Sequence, residues 1–117
     1  MDVERAQTLV AGERRRIEAA LTGLTGDEQA DESSRDDQAG EAAEAGTEIQ
    51  HEMTDQALTA GLEAELAAVA RAEARLADGT YGLSVESGAR IPDARLEAEP
   101  LAERTVEEQA RFEREGR

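Results

Sequence analysis

Carboxylates are the reactive groups this chain has most of: 28 Asp and Glu stand against 13 arginines, with no lysine, one histidine and no cysteine in 117 residues. Asp36 with Asp37, and Glu107 with Glu108, are adjacent acids. Paired carboxylates perform acid and base catalysis only where a pocket drives their pKa values apart. Sequence adjacency supplies no pocket, so no enzyme is expected. His51 lies beside Glu48, Glu52 and Asp55 and reads as a surface histidine in an acidic field rather than a ligand or general base. Without cysteine there are no thiolate nucleophiles, disulfides or thiolate metal sites. No metal or cofactor is expected. Arg14, Arg15 and Arg16 form the one basic cluster, expected to be solvated helix surface paired with a second helix, contact with an acidic protein being the minority reading.

The net charge of −15 disfavours direct nucleic-acid binding, because phosphate neutralisation by basic side chains supplies most of that affinity. Residues 27–55 carry 11 acids and one base. Such a field steers a segment toward a basic surface or a metal ion, although an acidic run is more often simply solvated. No apolar run nears the roughly 18 residues of a membrane span, and Met1 to Arg5 lacks a signal peptide's apolar stretch, so no membrane role and a cytoplasmic location are expected. Leu, Ile, Val and Phe total 19 residues against 23 alanines, which leaves a thin core and makes disorder a competing reading.

These groups must be positioned by a few elements. Val3, Val10, Ile17 and Leu24 recur every seven residues, with Ala6 and Ala20 between them and Leu21 alongside, which predicts a helix over 3–24 closed near Gly26. A polar connection with no large apolar residue follows to Gly40. Ile49, Met53, Leu58, Leu62, Leu66, Val69 and Leu76 predict a second helix over about 41–77, ended by Asp78-Gly79. Two narrow seams joined by a polar connection are best buried against each other, giving an antiparallel helical hairpin. Residues 80–91 read as β-like with glycines at turns. Pro92 opens a short helix through Ala98, which Pro100 forbids from continuing. Thr105-Val106-Glu107-Glu108 has the form of a capping box for a last helix over 106–115. Tyr81, Leu83, Ile91, Leu96, Leu101 and Phe112 are the expected core of this end.

One family shares these residues. Gly79-Thr80-Tyr81-Gly82, Ser87-Gly88, Ile91-Pro92, Ala94-Arg95-Leu96-Glu97-Ala98, Pro100 and Gln109 resemble, in order and spacing, the C-terminal knuckle of the DksA/TraR family of bacterial transcription regulators. The resemblance covers about residues 37–110. It implies a mainly α fold, with a hairpin over 1–78 whose acidic tip lies near 26–44, followed over 79–117 by a small knuckle and a C-terminal helix. The family's four zinc cysteines fall on Ser84, Ser87, Thr105 and Glu108, which do not make the soft site zinc prefers. A zinc-free knuckle is therefore expected, of marginal stability because no metal contributes to its folding.

The resemblance also implies a partner. Family members insert the hairpin into the secondary channel of RNA polymerase, place its tip near the catalytic magnesium and alter initiation without touching DNA. The family's D-x-x-D-x-A tip motif falls on Asp37 to Ala42, with Gly40 at the second aspartate and Asp36, Glu41 and Glu44 keeping the tip acidic. The alternative is an acidic coiled-coil interaction module with no polymerase role, in which the two seams associate between chains and the acidic segment is a soluble spacer.

Overall fold

The computed structural model describes residues 1–30 and 45–116, with side chains at 1–24 and 54–116. Four helices stand among them: α1 (Val3–Ala30), α2 (Ala45–Asp78), α3 (Asp93–Ala98) and α4 (Val106–Glu115). The fold is mainly helical, as the periodicity requires, and α1 packs antiparallel to α2. The chain divides into two compact units, one made of Met1–Arg14 with Ala68–Arg117 and one of Arg15–Ala67.

In the second unit Arg16 pairs with Glu65 at 2.8 Å, while eight residues further along α1 Leu24 lies near Leu58, seven residues back along α2. That order is the antiparallel register. Ile17 is fully buried, Leu21, Leu24, Leu62 and Leu66 are half-buried, and Leu58 is 51% exposed, so the seam loosens away from Ile17. The expected stop at Gly26 does not occur, and α1 continues to Ala30. A helical glycine costs about 1 kcal/mol. The good helix formers Glu28, Gln29 and Ala30 follow it, and the helix runs through.

In the first unit the apolar core consists of Ala6 and Val10 from α1, Val69 and Ala72 from α2, and Ile91 and Leu96 beyond them. Arg14 forms a two-pronged pair with Glu73, both bonds 2.8 Å. Val3, expected in the seam, is 60% exposed. It stands in the open first turn, and Ala6 takes the buried place one turn on. Helix α2 ends as its Asp78-Gly79 signal indicates: Gly79 has φ +80°, and the Thr80 and Tyr81 amides both donate to the Arg75 carbonyl, at 2.9 and 3.2 Å.

The β-like stretch forms one isolated antiparallel bridge, Leu83 with Arg90, and no strand. Ile91 donates to Gly82 and Ser84 to Ala89, each at 2.8 Å, which ties the two sides of the loop. The two-residue alternation turns Ser84 inward and leaves Leu83 outward and 38% exposed, contrary to its expected place in the core. Phe112, also expected inside, is 42% exposed and carries the Arg104 guanidinium 3.8 Å above its ring. Ile91 and Leu96 are buried as expected, with Tyr81 and Leu101 half-buried beside them.

Candidate functional site

Ser84, Ser87, Thr105 and Glu108, separated by up to 24 residues in sequence, meet in one hydrogen-bonded hub of the first unit. Local chemistry brings them there. Gly88, at φ +76°, lets the chain turn so that its amide reaches the Ser84 carbonyl at 2.9 Å. Within this turn the Ser84 hydroxyl oxygen accepts the Glu86 and Ser87 amides at 3.0 and 3.2 Å. On the other side, Thr105 caps α4. Its hydroxyl accepts the Glu108 amide at 3.2 Å, and the Glu108 carboxylate accepts the Thr105 amide at 3.0 Å, which is the capping box expected from the sequence.

Glu108 joins the two halves. Its second carboxylate oxygen accepts the Ser87 hydroxyl at 2.5 Å. Glu108 is 9% exposed and Ser84 5%. The Ser84 hydroxyl first, then the Ser87 hydroxyl and the Thr105 amide, favour the ionised form and hold the Glu108 carboxyl down to about 2. A carboxylate with so many donors is a weak base, and the site has no group poised for proton transfer at neutral pH.

These residues do not fit a zinc ion. Three hydroxyls and one carboxylate are hard oxygen donors, and they are engaged with backbone amides and, between Ser87 and Glu108, with each other, whereas a structural zinc site takes thiolate and imidazole. Among the described residues no group of three His, Cys, Asp or Glu side chains could hold a metal ion. The hub fastens the loop over 84–88 to the start of α4 with hydrogen bonds instead.

Two arginine clusters surround it. Arg71 and Arg75, one turn apart on α2, both donate to one oxygen of Glu103, at 2.8 and 3.0 Å. Burial pushes the Glu103 carboxyl up, but the hydrogen bond and charge of Arg71, and then those of Arg75, outweigh it and leave a net lowering. Arg75 Nη2 is buried with no hydrogen-bond partner. Glu86 holds Arg104 at 2.7 Å and Arg111 at 2.8 Å. The Tyr81 hydroxyl donates to the Pro100 carbonyl at 2.7 Å, and burial raises its pKa. At the start of α1, Arg5 grips Glu97 of α3 at 2.9 and 2.6 Å.

The sequence reading did not anticipate Glu103, Glu86 or Arg104. For Glu103 there was one signal, the four-residue spacing of Arg71 and Arg75, which puts two cations on one helix face and calls for an acid opposite. Arg14 and Arg16 pair with α2, and Arg15 is exposed. The expected tip residues Asp36, Asp37, Gly40, Glu41, Ala42 and Glu44 lie outside the described residues.

One solved structure shares the fold. The structure of the transcription factor DksA2 from Pseudomonas aeruginosa matches 97% of this chain and 84% of its own with a TM-score of 0.74, at 23% identity. The fold is DksA/TraR-like. The absence of cysteine fits a zinc-free version of that fold. In sequence, 71 residues are 44% identical to General stress protein 16O of Bacillus subtilis (strain 168), a stretch that is 61% of this chain and 44% of that protein. The chain thus spans less than half the length of this curated relative. No family model matches the chain. In the DksA-like fold α1 and α2 form the hairpin.

Proposed function

We propose that this protein is a member of the DksA/TraR family: a transcription regulator, not an enzyme, that binds RNA polymerase through its secondary channel rather than binding DNA. One observation carries the reading, the DksA-like fold shared over 97% of the chain with a transcription factor. The charge supports it. A chain of net charge −15 is repelled by DNA and drawn to a basic protein surface.

In this reading residues 1–78 are the probe and residues 79–117 the docking head. The acidic tip, Asp36, Asp37, Glu41 and Glu44 with Gly40 and Ala42, enters the channel toward the catalytic centre. The knuckle rests at the rim, and the Ser84–Ser87–Thr105–Glu108 hub keeps it folded with no metal or other cofactor. The protein works in the cytoplasm, where its polymerase is. Among the described residues no helix is long and apolar enough to cross a membrane.

Incubating the full chain with core RNA polymerase and, separately, with promoter DNA tests this reading. The protein is expected to co-elute with the polymerase and leave the DNA unshifted. A DNA shift without polymerase binding overturns it.

A further inference from the structure

Helix α4 buries no apolar side chain. Of its ten residues only Glu108 is buried and Gln109 half-buried, while Val106, Ala110 and Phe112 are all exposed. The apolar core of the unit, from Ala6 to Leu96, includes no residue of α4. Polar contacts hold the helix instead, and they converge on two neighbours in the 84–88 loop. The Ser87 hydroxyl donates to Glu108 at 2.5 Å, and Arg111 reaches Glu86 at 2.8 Å. The Arg104 guanidinium that covers the Phe112 ring is itself held by Glu86, at 2.7 Å. A ten-residue helix is too short to persist alone in water, so α4 depends on these ties.

The chain just before α4 is anchored separately. Glu103 is gripped by Arg71 and Arg75 and its carbonyl accepts the Val85 amide at 2.9 Å, while the Arg104 carbonyl accepts Nε of Arg95 at 2.9 Å. Fixed backbone therefore ends at Arg104, and the helix starts at Val106. We propose that α4 is a strap that opens and recloses as a unit about Thr105 while the rest of the knuckle stays folded, with the Ser87–Glu108 hydrogen bond as its clasp. Opening takes no α4 side chain out of an apolar core, so it costs less than unfolding the unit. The clasp sets how often it happens, because a hydrogen bond to a charged group is among the stronger ties available.

Amide hydrogen exchange of the full chain, followed residue by residue by NMR, tests this. In wild type the α4 amides from Gln109 to Glu115 are expected to exchange about tenfold or more faster than those of Val69 to Glu73 in α2, yet more slowly than in an unstructured chain. Ser87→Ala removes the clasp and touches no core residue. It should speed the α4 amides about tenfold or more and leave those of 69–73 unchanged, which also shows that the fold is retained. Ser87→Thr keeps a hydroxyl and should restore the wild-type rates. Equal exchange of the two helices in wild type overturns the inference, because α4 then opens only when the whole unit unfolds. So do α4 amides with no protection, α4 rates that Ser87→Ala leaves unchanged, a rise shared equally by both helices, or a Ser87→Thr variant that behaves like Ser87→Ala. No polymerase enters this measurement, so its failure leaves the channel reading untouched.

Discussion

Replacing Glu108 with glutamine should loosen the knuckle more than removing the cap that Thr105 provides. Thr105→Ala deletes one acceptor, the hydroxyl oxygen that takes the Glu108 amide at 3.2 Å. Loss of such a cap costs about 1 kcal/mol. In a unit of this size that lowers the melting midpoint by roughly 4–8 °C. Glu108→Gln does more. The carboxylate accepts the Ser87 hydroxyl and the Thr105 amide, and the substitution sets an NH₂ group against one part of that donor set.

The pH profile separates a charge effect from a packing effect. The Glu108 carboxyl is held down to about 2 from an ordinary 4.5, so its contribution is complete above about pH 4.5 and fades as pH falls toward 2. Wild type should therefore melt above Glu108→Gln at pH 7, and the gap should close between pH 4.5 and 2. Tyr81 is the chain's one tyrosine and there is no tryptophan, so its fluorescence reports the knuckle directly. Equal midpoints at pH 7, or a gap that does not narrow in acid, would refute the hub as described.

Other perturbations follow from burial and bonding. Ile17→Ala should cost about 2–5 kcal/mol, because Ile17 is fully buried, whereas Leu58→Ser should stay within about 0.5 kcal/mol; thermal melts of the two variants check the contrast. Tyr81→Phe removes the donor to the Pro100 carbonyl and should destabilise the knuckle by about 1 kcal/mol in urea unfolding. Purified protein should carry no stoichiometric zinc, and a chelator should leave its melting curve in place; about one equivalent of tightly held zinc by elemental analysis contradicts the oxygen-only hub.

Much of the fold was legible in residue spacing. The seven-residue recurrence of Val10 and Ile17 marked the buried face of α1, Asp78-Gly79 marked the end of α2, and Thr105 with Glu108 announced the capping box that heads α4. What failed depended on tertiary context. Glycine at position 26 has the same composition signal as a helix stop, but nothing in the local sequence decides whether the chain leaves the helix there. Leu83 and Phe112 are apolar and were expected inside, yet the inward places near them belong to Ser84 and Glu108. The resemblance marked the four hub positions as those of the family's zinc ligands, and their joining into one network depends on a hydrogen bond across 21 residues, Ser87 to Glu108, that no periodicity encodes. The acidic tip, which the resemblance marks most sharply, lies outside the described residues.

The channel reading is tested most directly by competition. Wild-type protein bound to core RNA polymerase is challenged with a ligand known to occupy the secondary channel, at two salt concentrations, alongside a variant carrying Asp36→Asn, Asp37→Asn, Glu41→Gln and Glu44→Gln. Wild type should be displaced by the competitor, and its association should slow as salt rises. The four-charge variant should stay folded, associate more slowly than wild type and lose most of that salt sensitivity. Binding that the channel ligand does not displace, or no binding by the folded wild type, contradicts the account.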